Sequence, residues 1–469
     1  MKFGHLYRDR LREAGFPPEW INTAINYNQL KKCIKRVRQE LASLGLDAVT
    51  LQRLLKNAEK ASEAAEKGQH SDEEGDERPL RYEFAGMNGP AKSAGPIVPK
   101  LLILVDEETG QPIDASLAPE TKDYIHQLAL KEQLTNIHIT ARDDNETASP
   151  PLELSKTHSN ASDSGRKPSR PHRLIEVPLT NDSVFFNMLQ SELFELASLQ
   201  EAEKQKLYSN ITEVGKTLAR VTEPDGSKAT KDLAHWRNLF ELYINSRVFF
   251  ATTEQDHGAQ KFAEAQRRFK LFLEQASKMR FLGKFKRKAS GEALQQFLHI
   301  NTELLQNLRF HEMNQTAMNK ILKKFDKRTA LGVKATFPTR LPPSMLSENI
   351  AKSLSAQVAT DIISIVPQLD DYLCPICSEL AWRPVRLRCQ HVYCIRCLVI
   401  LQRDGTTRCP LCRDNVVMQA DARHIDEEMI VFLKKYFSTE VKQKQKLNER
   451  AAFVDKYGEN YDDTQCTVM

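Results

Sequence analysis

CPICSELAWRPVRLRCQHVYCIRCLVILQRDGTTRCPLC, residues 374–412, holds seven of the chain's nine cysteines and decides how the C-terminal part folds. In order, its potential ligands are Cys374, Cys377, Cys389, His391, Cys394, Cys397, Cys409 and Cys412. The spacing reads C-x2-C-x11-C-x-H-x2-C-x2-C-x11-C-x2-C. Each C-x2-C step turns the chain so that two thiolates meet one tetrahedral Zn2+ at about 2.3 Å. Eight ligands at four per ion imply two zinc ions. So short a segment buries too little surface to fold alone, and metal binding supplies its folding energy. Chance clustering of core thiols is a poor rival for eight ligands so spaced. Closed four-ligand sites leave no position for water, which argues against zinc hydrolysis.

Around this segment lie 469 residues, which the length prior divides into about three domains. Charged residues are 28% and hydrophobic ones 41%, a composition that suits a helix-rich soluble chain. No apolar run approaches the ~20 residues of a membrane span; the strongest is LLILV at 101–105. MKFGHLYRDR at the start has no apolar core of the kind a secretory signal carries. The 67 Lys and Arg against 62 Asp and Glu leave +5, too little for general nucleic-acid binding, so basic function must come from local clusters.

Residues 1–67 and 174–335 show amphipathic helical periodicity. Phe185, Leu189, Leu193 and Leu196 form one stripe, Leu233, Trp236, Phe240 and Tyr243 a second, and Phe262, Ala265, Phe269 and Phe272 a third. Such stripes must bury one another, which predicts a helical bundle. In KILKKFDK at 320–327, Lys320, Lys323, Lys324 and Lys327 share one helical face, while Ile321, Leu322 and Phe325 supply an apolar side. The bland alternative is a solvated lysine face. The basic runs at 31–38 and 278–288 are read as such faces. Cys33, on a helix, reads as a core residue.

GQHSDEEGDERP at 68–79 is acidic, and the Ser-, Asn-, Asp- and Pro-rich stretch 141–172 is polar; both read as disordered. Between them, PKLLILVDEETGQPIDASL at 99–117 reads as a hairpin with a Gly-containing turn, followed by a helix near 119–131. A Pro-rich boundary precedes a helix at 344–365, and a further helix follows the cysteine segment, packing on it. The final Cys466-Thr467-Val468-Met469 fits a C-a-a-X box, whose terminal Met favours farnesyl. The preceding NYDDTQ is acidic rather than polybasic, and one lipid chain anchors only marginally.

The cysteine–histidine octet resembles a RING finger of the C3HC4 type. A PHD finger differs in placing its histidine after four cysteines rather than three. The resemblance implies alternating ligation: Cys374, Cys377, Cys394 and Cys397 on one ion, Cys389, His391, Cys409 and Cys412 on the other. It also implies an E2 ubiquitin-conjugating enzyme docked on Ile376, Leu401 and Pro410, whose bland alternative is packing within a small domain. Leu401 stands where many members carry tryptophan, which implies weaker docking or a different choice of E2. Arg413 would bridge E2 and ubiquitin, since a guanidinium fork can satisfy two carbonyls at once. No cysteine is a nucleophile in this mechanism; the thioester is oriented, not relayed.

MKFG at 1–4, the Tyr27-x-x-Leu30-Lys31-Lys32 run and KILKKFDK together resemble an SPX domain, in that family's order. The resemblance implies a basic surface for inositol polyphosphates and pyrophosphates. Tyr27, Lys31 and Lys324 would form the phosphate-binding cluster, Lys320, Lys323 and Lys327 an adjacent lysine surface, and Lys2 a further contact. Lysines suit a ligand of many phosphates as convergent point charges, and the tyrosine hydroxyl adds a directional donor.

The resulting expectation is a mainly α protein. It comprises an SPX bundle at 1–335 with a long, partly disordered insertion at about 68–173, and a linker at 336–370. A small ββα-type two-zinc RING finger at 371–418 and a C-terminal helix and tail at 419–469 complete it. The family implies a ubiquitin ligase of phosphate homeostasis, with an E2, ubiquitin and protein substrates such as phosphate transporters or their regulators as partners. Nucleic acid is not among the expected partners, and the membrane enters only through a farnesyl group on Cys466. The expected location is cytoplasmic, with the nucleus left open. The rival is a non-enzymatic sensor whose zinc finger mediates protein contacts.

Overall fold

The structure, a computed structural model, describes residues 3–54, 80–85, 97–113, 117–140, 172–249, 261–280, 285–341 and 350–457. Three helices open the chain: α1 (Phe3–Glu13), α2 (Pro18–Thr23) and α3 (Tyr27–Ser43). Asn26 caps α3, its side chain accepting the Gln29 amide. Strands β1 (Leu80–Ala85) and β2 (Val98–Asp106), helix α4 (Pro119–Thr140) and strand β3 (His172–Val177) follow. Next come α5 (Asn181–Thr222), α6 (Ser227–Ser246), α7 (Phe262–Lys278) and α8 (Lys288–Thr329). At 42 residues, α5 and α8 each extend about 63 Å. Helix α9 (Val333–Arg340) starts where Asp326 accepts the amides of Val333 and Lys334.

The chain forms two compact units: residues 1–203 with 309–348, and 204–308 with 349–469. In the first, the stripe Phe185, Leu189, Leu193 and Leu196 is buried, as are Ile321, Leu322 and Phe325 at 0% exposure. Cys33 lies in the same core. Gly4 permits α1 to cross α3, because a Cβ there would overlap the Asn28 side chain.

The insertion departs from the expected hairpin. β2 is the middle strand of an antiparallel sheet, pairing with β1 (Leu101 opposite Tyr82) and with β3 (Leu101 opposite Val177). Residues after the turn contribute only the bridge Val105–Pro112, where proline has no N–H to continue a ladder. The paired strands come from the borders of the two polar stretches. Of those stretches, 68–79 and 141–171 lie outside the described residues, while His172, the last residue of the second, opens β3.

In the second unit, Leu233, Trp236, Phe240, Tyr243, Ala265, Phe269 and Phe272 are buried among α5–α8, as their stripes require. The segment before the cysteines joins this core. Helix α10 (Ile350–Val358) runs into a π turn, 359–363, and buries Leu354, Val358, Ile362 and Val366. Each such side chain contributes about 1.5–3 kcal/mol relative to exposure. Gly215 of α5 makes the approach possible, since a Cβ would strike the Asp361 carbonyl.

The zinc-spaced segment has strands β4 (Pro384–Arg386) and β5 (Val392–Cys394), paired antiparallel, then α11 (Ile395–Arg403). One terminal helix was expected and two are present, α12 (Glu427–Tyr436) and α13 (Ser438–Tyr457). The break falls at Phe437, whose ring is fully buried and whose backbone (φ −124°, ψ 43°) leaves the helical region.

Candidate functional site

Cys374 and Cys377 flank one turn, and Cys394 and Cys397 lie at the end of β5 and the start of α11, so hairpin and helix bring four sulfurs together. Cys389, His391, Cys409 and Cys412 form a second group, and within each group all ligand atoms lie within 4.8 Å of one another. Sulfurs on a zinc tetrahedron with 2.3 Å bonds stand about 3.8 Å apart, and Cys377 Sγ to Cys394 Sγ is 3.8 Å. His391 Nδ1 lies 3.4 Å from Cys389 Sγ and 3.6 Å from Cys409 Sγ, the edges a mixed S/N tetrahedron requires. Both donor sets fit zinc and match the alternating pairing.

The two outer knuckles share a backbone design. Ser378 N–H donates to Cys374 O and Arg413 N–H to Cys409 O, each at 2.8 Å. Ser378 (φ 53°) and Arg413 (φ 67°) are both left-handed, which costs a non-glycine residue roughly 1 kcal/mol or more. Burial opposes charge on Cys409, but N–H groups of Cys412 and Leu411 and the Tyr393 hydroxyl hold its thiol down to about 6.

Ile376 is 40% exposed, and Pro410 and Arg413 are exposed. Leu401 is half-buried against the zinc-module core, while its neighbours Val399 and Ile400 are exposed. Leu411, which the sequence reading did not single out, is 53% exposed.

Helices α12 and α13 pack against the zinc module: Leu380 and Trp382 meet Ile430, Leu433, Phe437 and Val441. Lys444 of α13, only 8% exposed, directs its ammonium at Cys377 Sγ (3.4 Å) and at the Glu379 carboxylate. Arg237 of α6 donates to the carbonyls of Pro367 (2.9 Å) and Tyr436 (2.8 Å) and lies over the Phe437 ring at 3.9 Å.

A separate hollow of about 600 Å3 lies in the first unit between α1, α3 and the end of α8. Arg8, Lys31, Lys32, Lys35, Arg38, Lys324 and Arg328 line it with His5, Asn28 and Ile34, and among the described residues no carboxylate lines it. The run 31–38, read as a solvated face, is exposed at Lys31, Lys32, Lys35 and Arg38, and the same four side chains supply four of the seven cations of this wall. Of the expected phosphate-binding residues, Lys31 and Lys324 meet here. Tyr27 is 7% exposed and set edge-on to Phe3 in an adjoining hollow that shares Arg8 and Asn28; burial raises its hydroxyl pKa. Lys320 stands 4.0 Å over the Phe3 ring, and Lys323 and Lys327 are exposed outside the hollow. Lys2 and Cys466 lie outside the described residues.

A model of the SPX domain matches residues 1–341, and a model of the C3HC4-type RING zinc finger matches 374–412. The chain is 32% identical to "Transcriptional regulator of yeast form adherence 3" of Candida albicans, over 100% of both chains. It is also 32% identical to a RING finger protein of Schizosaccharomyces pombe, over 97% of this chain and 96% of that one. Human E3 ubiquitin-protein ligase RNF138 is 42% identical over 66 residues, 13% of this chain and 27% of that protein. No solved structure matches.

Proposed function

This chain belongs to the SPX domain family and carries a C3HC4 RING finger, and on that premise we propose that it is an E3 ubiquitin-protein ligase governed by an inositol phosphate. One observation carries the ligase reading. The two closed four-ligand clusters hold Ile376 and Pro410 at the surface, with an exposed Arg413 directly after the last ligand. The likeness to RNF138 covers this module alone and supports the same role.

In the proposed mechanism the zinc ions hold the scaffold and the chain's side chains do the work. Ile376, Pro410 and the exposed part of Leu401 seat the loaded E2. Arg413 donates to carbonyls of E2 and ubiquitin together, restricting the thioester to orientations open to attack by a substrate lysine; the gain is one of orientation rather than of new bonds. Arg413 closes the last knuckle in a left-handed backbone conformation and is exposed there. On the first unit, seven cationic side chains, with no lining carboxylate among the described residues, suit a compact polyanion such as an inositol polyphosphate or pyrophosphate. Phosphate transporters or their regulators would be the substrates, in a cytoplasmic setting, with farnesylated Cys466 as a membrane tether. The Candida relative is named a transcriptional regulator; a ligase that removes a regulator alters transcription without touching DNA.

Purified full-length chain, zinc-loaded and mixed with E1, a panel of E2s and ubiquitin, tests the ligase directly. Autoubiquitination that is lost in Ile376→Ala and shifts when inositol hexakisphosphate is added is the expected result. Silence with every E2 would leave the non-enzymatic sensor as the better reading.

A further inference from the structure

The two metal clusters differ in charge. Zinc with four thiolates carries a net −2, whereas zinc with three thiolates and a neutral imidazole carries −1. The more negative cluster is the one that meets a buried cation. Lys444 of α13, 8% exposed, places its ammonium 3.4 Å from Cys377 Sγ and hydrogen-bonds the Glu379 carboxylate. Among the described residues, no comparable lysine or arginine contact to the sulfurs of the second cluster accompanies it; there the Tyr393 hydroxyl lies 3.0 Å from Cys409 Sγ. A buried ammonium is costly unless anions meet it. The surface packing of α13 did not require one, because the rest of that helix is largely exposed and polar. Glu379 is itself half exposed and could pair with a lysine lying in solvent. The thiolate is what accounts for the depth of Lys444.

We propose that Lys444 is a positioning residue of the four-cysteine zinc site, a charge-bearing outer partner that withdraws electron density from the Cys377 thiolate. A thiolate that accepts N+–H···S is a weaker nucleophile, so it resists electrophiles and keeps its metal. The functional zinc module then reaches at least to Lys444, thirty-two residues beyond Cys412, and α13 protects it. The proposal rests on the zinc assignment but not on ligase activity.

The test uses zinc-loaded full-length chain. N-ethylmaleimide is added in excess, and zinc release is followed with a chromogenic chelator in wild type, Lys444→Met, Lys444→Arg and Glu379→Gln. In Lys444→Met, one of the two ions is expected to leave roughly tenfold faster while the other keeps its wild-type rate. Lys444→Arg, which keeps the charge, should restore slow release. Glu379→Gln, which removes only the ion pair and leaves the ammonium on Cys377, should release both ions as wild type does. Unchanged release in Lys444→Met would overturn the proposal. So would equal acceleration of both ions, or a Glu379→Gln chain as fast as Lys444→Met, because these mark a mere helix-to-finger tether. Should Lys444→Met fail to fold, Lys444→Gln, which keeps a polar chain without the charge, takes its place, and unchanged release in that variant likewise overturns the proposal. A wild-type chain that binds no zinc at all refutes instead the metal assignment beneath it.

Discussion

The Tyr7 hydroxyl donates to Asn314 Oδ1 at 2.8 Å, joining α1 to α8 across 307 residues of sequence. The same oxygen accepts the Ile25 amide at 3.0 Å, and Asn314 Nδ2 donates to Phe310 O at 2.9 Å. Every polar atom of this 1%-exposed side chain is therefore used. The bond ties together the helices that wall the basic hollow.

Asn314→Leu leaves the Tyr7 hydroxyl and the Ile25 amide buried without a partner. A loss of about 2–4 kcal/mol is expected, read as a lower midpoint in thermal unfolding. Tyr7→Phe together with Asn314→Leu should cost less than Asn314→Leu alone, since one stranded donor is then removed.

Lys31 and Lys324 face the hollow, whereas Lys323 and Lys327 lie outside it. The double variant Lys31→Ala/Lys324→Ala should weaken inositol hexakisphosphate binding tenfold or more by titration calorimetry. Lys323→Ala/Lys327→Ala should weaken it threefold at most, an effect that added salt erases because it acts through solvent. Equal losses in the two pairs would show that the whole lysine face binds, not the hollow.

Burial raises the Glu192 carboxyl from 4.5 to about 7, with the Asn26 amide working the other way. Because the folded value lies above the unfolded one, the native state holds a proton that the unfolded chain releases. Its contribution to stability is greatest on the acid side and fades as pH rises through 7. Glu192→Gln keeps an acceptor for Asn26 and abolishes this dependence. Between pH 5 and 8 the wild type should lose on the order of 1–2 kcal/mol relative to the variant, allowing for solvent that still reaches the carboxyl. Parallel melting curves at every pH would count against it.

Arg413→Gly separates stability from activity. Glycine accepts φ 67° freely, so the melting point and the zinc content should hold or rise. Discharge of ubiquitin from a loaded E2 onto free lysine should nevertheless drop tenfold or more, because no guanidinium remains to bridge the conjugate.

What the sequence made legible follows from the range of the interactions. The zinc octet is visible because its ligands are distinctive residue types in short, local spacings, and the stripes on α5, α6 and α7 because a helix repeats its own face. The basic wall was only half visible. Lys31 and Lys324 stand in recognisable motifs, but Lys35 and Arg38 read as a solvated face until Arg8 and Arg328, distant in sequence, are set opposite them. A clue existed in Lys31, Lys35 and Arg38, which recur at helical spacing with Arg8 basic on the facing helix. The partners of β2 were hidden because both lie at the borders of polar stretches, and strand pairing carries no local mark. Lys444 had no signal at all: one lysine among several on a polar helix, singled out only by what it touches.

Leu354, Val358, Ile362 and Val366 bury the segment that leads into the RING, and Arg237 holds it again at Pro367 while also binding Tyr436 on the far side of the zinc module in sequence. On the proposed function, a RING mounted in this way cannot sweep its cargo through a wide arc in search of an acceptor. It delivers to a small zone of space, so the choice of which lysine is marked passes to whatever carries the target into that zone.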